Sequence, residues 1–177
     1  MITKNFKATI AWILQRKSGT IYGYTPIKTT SGTNKYLASN FIGYPSTTQN
    51  TLQINSLANS GIWLGSGNNA ASEDDYALQT RITTGLASTT PTQTQGVDLD
   101  GNPWTTFLFT LTNTTANPIT VSEIGYVQNI YAATTIGGSC SSDLALMDRT
   151  VLSNPVTIPA NGSAAIEYTL KTIMPSS

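Results

Sequence analysis

Asn161-Gly162-Ser163-Ala164-Ala165-Ile166-Glu167-Tyr168-Thr169-Leu170-Lys171 sets Ile166, Tyr168 and Leu170 on one phase of a two-residue period and Glu167, Thr169 and Lys171 on the other. Successive side chains of a β-strand point to opposite faces, so this alternation predicts a strand with one buried and one wet face. The Asn-Gly pair at its entry is a favoured hairpin turn, because both residues tolerate positive φ. Upstream, Phe107, Phe109 and Leu111 share one phase between Trp104 and Thr112, and Asn113 to Pro118 reads as a turn. Ile119 and Val121 resume the alternation. It then slips by one at Glu123 and Ile124 before Tyr126, the pattern expected of a β-bulge. Leu144 to Leu152 is a further strand, and Pro155 to Ile158 leads into the turn Pro159-Ala160-Asn161-Gly162.

Four or more short strands with Gly, Asn and Pro turns about ten residues apart predict an all-β fold, an antiparallel β-sandwich or jelly-roll-like body. This body is expected over residues 61–177, with residues 1–60 as an irregular N-terminal arm or extension. From Thr25 to Ser60 the chain is rich in Thr, Ser, Asn and Gly, with isolated apolar residues such as Ile27, Leu37, Phe41 and Ile42. Before it, Lys4 and Lys7 lead into an apolar run from Ala8 to Leu14, read as a strand or a short helix. Gln15, Arg16 and Lys17 stand where a signal peptide would carry small residues, and the run is far short of the roughly 18 apolar residues of a membrane span.

Composition supports β structure and removes several function classes. Thirty Thr, seventeen Ser and fourteen Asn favour strands and turns over helices. Nine basic and nine acidic residues cancel, so no net field attracts nucleic acid or a membrane surface. The chain has no His, which removes the usual general base and every His-dependent triad or metal site. The lone Cys140 offers one zinc ligand at most and has no partner for an internal disulfide. Six of the nine basic residues lie in the first 35 positions, and the first acidic residue is Glu73. This reads as a solvated face, or as an arm that docks onto an acidic neighbouring subunit, with Trp12, Arg16 and Lys17 as candidate interface residues.

Few residues offer chemistry. Glu73, Asp74 and Asp75 follow a Gly65-Ser66-Gly67 turn and have the oxygens a cation needs, but adjacent residues of an extended chain point apart. A loop capped by Ser72 or Asp74 is the plainer reading. A glycosidase pair would need two carboxyl groups facing each other across a cleft. Asp98 and Asp100 followed by Gly101 open like a calcium loop, yet Phe109 stands where the distal acid belongs, leaving a plain turn. Asp148 and Arg149 in a strand suggest ion pairs. Trp63 and Trp104 read as core or interface anchors, with a carbohydrate-stacking platform as the alternative. No catalytic residue and no cofactor is expected.

Taken in order, Ile62-Trp63-Leu64-Gly65-Ser66-Gly67, Asp75-Tyr76-Ala77-Leu78, Phe107 to Leu111 with Asn113, Ser122-Glu123-Ile124-Gly125-Tyr126, Leu146-Met147-Asp148-Arg149-Thr150-Val151-Leu152, Pro155 to Gly162 and Tyr168-Thr169-Leu170 resemble a group of tailed-bacteriophage virion structural proteins. The resemblance covers roughly residues 60 to 172. It implies a non-enzymatic β protein on the capsid, neck, tail or a fibre, forming a homo-oligomer and binding other virion proteins. The alternative is a module that binds carbohydrate or a receptor, including a host-surface glycan, on a tail or fibre.

Overall fold

The computed structural model describes residues 1–15, 26–37, 61–135 and 138–171. Among the described residues one helix, α1 (Lys4–Gln15), precedes nine strands: β1 (Ile27–Lys28), β2 (Asn34–Leu37), β3 (Gly61–Gly65), β4 (Leu86–Ser88), β5 (Thr92–Val97), β6 (Pro103–Asn113), β7 (Ile119–Ala133), β8 (Cys140–Ile158) and β9 (Ser163–Lys171). The protein is all-β with antiparallel pairing, as the alternation predicts. It divides into two compact units, Met1–Thr83 with Thr120–Val156 and Thr84–Ile119 with Thr157–Ser177. These units cut across the division at residue 60, because β2 pairs with the far end of β7 and draws the N-terminal segment into the first unit.

In the first unit the strand order is β1-β2-β7-β3, with β8 also paired to β7. β3 runs against β7 in unbroken register from Gly61↔Val127 to Gly65↔Glu123. There is accordingly no bulge against β3 at Glu123 and Ile124. Burial also disturbs the phase: every residue from Val121 to Val127 is buried, so apolar and polar residues no longer sort by face. Trp63 lies opposite Gly125 and packs with Leu78, Val127 and Leu146. A Cβ on Gly125 would come within 2.8 Å of both Leu78 and Leu146, so glycine makes room for this core.

The ambiguous N-terminal run is helical. Thr3 precedes α1, and its carbonyl accepts from Lys7 N–H while its buried hydroxyl donates to Leu146 and Met147 carbonyls of β8. The Asn5 side chain acts like a neighbouring peptide group. It accepts from Lys28 N–H at 2.8 Å and donates to Lys28 O at 2.7 Å, satisfying an edge of β1.

In the second unit β6 is central. β9 covers one of its edges from Trp104↔Lys171 to Thr112↔Ser163, and the other edge is shared by β5 and β4. Phe107, Phe109 and Leu111 are buried, in register with Tyr168, Ile166 and Ala164. Thr106, Leu108 and Thr110 take the opposite, more open face, where Thr106 and Thr169 hydroxyls bond at 2.6 Å. The hairpin into β9 turns at Asn161, with φ 53°, and Gly162 N–H donates to Pro159 O at 2.9 Å. Buried Asn113 ties this corner together. Its amide donates to the carbonyls of Asn117, Ile158 and Pro159, and its oxygen accepts from Thr115 N–H and hydroxyl.

Candidate functional site

The densest polar cluster lies in the first unit, where Gly65 to Thr80 folds back over the end of β3 and β7. Glu123 is fully buried on the same face of β7 as Gly125 and Val127. Its carboxylate accepts from Thr80 N–H (2.8 Å), Gln79 N–H (3.1 Å) and Gly67 N–H (3.2 Å), and from Arg149 Nε at 2.7 Å. Arg149, on β8, extends Nη1 to Asp75 (2.9 Å) and Nη2 to the Asn69 carbonyl (3.1 Å). Burial alone would lower the Arg149 pKa, but its bonds to Asp75 and Glu123 more than offset this and raise it. The guanidinium fork thus joins two carboxylates and a loop carbonyl, a geometry lysine does not match.

Glycine is required here for close approach. A Cβ on Gly65 would stand 2.4 Å from Glu123 Oε1, and one on Gly67 would stand 2.6 Å from the same atom. The three consecutive acids go to three different partners: Glu73 pairs with Lys7, Asp74 with Lys4 at 2.5 Å, and Asp75 with Arg149 and Ser72 N–H. Lys4 N–H also donates to Glu73 O at 2.7 Å, so the acidic loop supplies negative charge to the first turn of α1, which carries none of its own. Lys4 and Lys7 therefore pair within this chain.

A cleft of about 450 Å³ opens beside the cluster, lined in part by Asn69, Asp75, Tyr76, Gln79 and Arg149. Glu123 is sealed beneath it, so Glu123 and Asp75 do not form an exposed pair facing a substrate. Trp63 is buried, with the Arg81 guanidinium 3.4 Å from its ring centroid, which removes it from the interface and carbohydrate-platform readings. Trp104 is half-buried and lies over Gly96. Trp12 is in α1, while Arg16 and Lys17 lie outside the described residues.

Asp98 serves the β5–β6 turn. Its carboxylate accepts from Asp100 N–H (2.9 Å) and Asn102 N–H (2.8 Å) and pairs with Lys171, while Gly101 takes φ 79°. Among the described residues no group of three or more acidic or Cys side chains is placed to hold a metal ion. The Lys171 and Asn102 donors hold the Asp98 pKa at about 2, below its ordinary 3.8. A carboxylate depressed on folding stabilises above its unfolded pKa and loses that contribution as protons return. The stability advantage of the wild type over Asp98→Asn is expected at pH 5 and to shrink between pH 4 and pH 2. Thermal midpoints across that range check it, and a gap that does not change with pH counts against the assignment.

Glu123 is the residue sequence reading undervalued. Its signal was an acid flanked by Ser122 and Ile124 in an apolar strand, matched by Arg149 in another, in a chain with few charges. No protein-family model, curated protein or solved structure matches the chain. The fold and the cluster define a class only: an all-β protein whose main polar centre is an internal brace.

Proposed function

We propose that the chain is a non-enzymatic structural protein of a tailed-bacteriophage particle, acting through assembly with other virion proteins. One observation carries this reading: the segments that resemble virion structural proteins meet at two polar hubs that hold loops in place. Gly65 to Gly67, Asp75, Glu123 and Arg149 converge on the first hub. Asn113, Ile158, Pro159 and Gly162 converge on the second. The polar groups at both hubs, backbone and side chain alike, are engaged in bracing, which suits a scaffold for protein contacts. The open side of β6, with Thr106, Leu108, Thr110 and Thr112, carries no charge, which suits subunit packing, where charge is depleted at interface cores.

The test is mass spectrometry and immunogold electron microscopy on purified particles of the phage that encodes the chain. The reading expects the protein in the particle at a fixed copy number, at one repeated location. Its absence from particles in cells that express it overturns the proposal.

A further inference from the structure

We infer that β5 is a homodimerisation edge, through which two copies pair antiparallel about a twofold axis at Gln95. The ladder fixes which way each backbone group points. Residues along an antiparallel strand alternate between exchanging hydrogen bonds with one neighbour and pointing away from it. Asp98 N–H donates to Asn102 O at 3.0 Å, and the same register gives Gly96↔Trp104, Thr94↔Thr106 and Thr92↔Leu108. The even-numbered residues of β5 therefore spend their amides and carbonyls on β6. The other side of β6 agrees: Asn113 N–H donates to Gly162 O, so odd-numbered β6 residues turn to β9 and even-numbered ones to β5.

Gln93, Gln95 and Val97 consequently direct their N–H and C=O groups out of the sheet. The residues of β5 are exposed except for half-buried Gly96, and no described strand besides β6 pairs with it. Natural edges are blunted by charge, proline, a bulge or a cover. Thr92-Gln93-Thr94-Gln95-Gly96-Val97 has no charge or proline and keeps unbroken register with β6. The opposite edge, β9, places Glu167 and Lys171 at its outward-pointing positions.

A second copy of β5 fits this edge without mismatch. Centred on Gln95, the pairing sets Gln95 against Gln95 and Gln93 against Val97. Three outward residues in each of two copies then supply six N–H···O=C bonds, using every outward donor and acceptor. No like charges oppose each other across the seam. On the open face, Gly96 falls opposite the second copy's Thr94. Trp104 already lies across Gly96, where a Cβ would stand 2.7 Å from its ring, so each copy brings an aromatic anchor to the seam. A twofold contact of this kind closes at two subunits.

Sedimentation equilibrium of the isolated protein tests the inference independently of where the protein resides. The expected mass is twice 18.8 kDa. Gln95→Pro removes an outward N–H but no bond to β6, and should give a monomer with an unchanged far-UV spectrum. Gln95→Lys, which sets two ammonium groups against each other, asks the same question if proline disturbs the strand. In a Cys140→Ser background, Gln95→Cys should form a symmetric disulfide, since directly paired Cα atoms lie about 5.5 Å apart. Glu167→Cys in that background should not. A monomeric wild type overturns the inference, as does a dimer that survives both Gln95 substitutions or crosslinks at position 167 instead of 95.

Discussion

Arg149→Ala is expected to lower the unfolding free energy by about 3–5 kcal/mol, the range for removing one partner of a buried ion pair. The cost comes chiefly from what is left behind. Glu123 is fully buried, and without the guanidinium its charge would be held only by the amides of Gly67, Gln79 and Thr80. Asp75 and the Asn69 carbonyl lose their bonds to β8 in the same step. Arg149→Lys should fall between alanine and wild type, because one ammonium keeps the charge but does not reproduce the fork to Glu123, Asp75 and Asn69. Urea unfolding gives the magnitude. Amide exchange gives the location, with protection expected to fall first at Gly67, Gln79 and Thr80. A loss below about 1 kcal/mol, the scale of exposed pairs, would mean that the cluster does not brace the loop.

Glu123→Gln tests the same centre from the other side. Oε1 accepts from Gly67 and Thr80, whereas Oε2 accepts from Gln79 N–H and Arg149 Nε. An amide has one acceptor oxygen, so whichever way it turns its NH2 faces donors. The isosteric change is therefore expected to destabilise as well, by an unsatisfied-donor penalty of about 1–3 kcal/mol.

What could be read from the sequence follows from where water lies. β6 and β9 each have an open and a buried face, so side-chain type sorts by phase and both strands are legible. β7 is buried on both faces around Glu123, which erases the phase although its register with β3 is unbroken. The helix escaped assignment because a short apolar run has no unique period. Its position depends on distant bonds from Thr3 to β8 and from Asn5 to β1. The Arg149 ion pair was expected, but its partners lie 26 and 74 residues away, and only the pairing of β3, β7 and β8 brings them together. The acidic run looked like one cluster, yet the loop directs each carboxylate to a separate cation.

Two adjacent residues of β6 give the sharpest test of that face assignment. Phe107 is 1% exposed and stands opposite Tyr168 on one side and Gln93 on the other, whereas Leu108 is 50% exposed. Phe107→Ala is expected to cost about 3–5 kcal/mol, because the lost transfer energy is joined by a cavity that the flanking strands cannot fill without breaking register. Leu108→Ala should cost under about 1 kcal/mol, since half of that side chain is already hydrated and no void opens. Residues one step apart lie in the same strand between the same two neighbouring strands, so local strand propensity contributes little to a difference this large. Paired urea titrations read it directly, with the midpoint shifting strongly for Phe107→Ala and slightly for Leu108→Ala. Equal shifts would mean that both faces of β6 are packed, and a reversed order would move the buried phase by one residue along the whole β5-β6-β9 sheet.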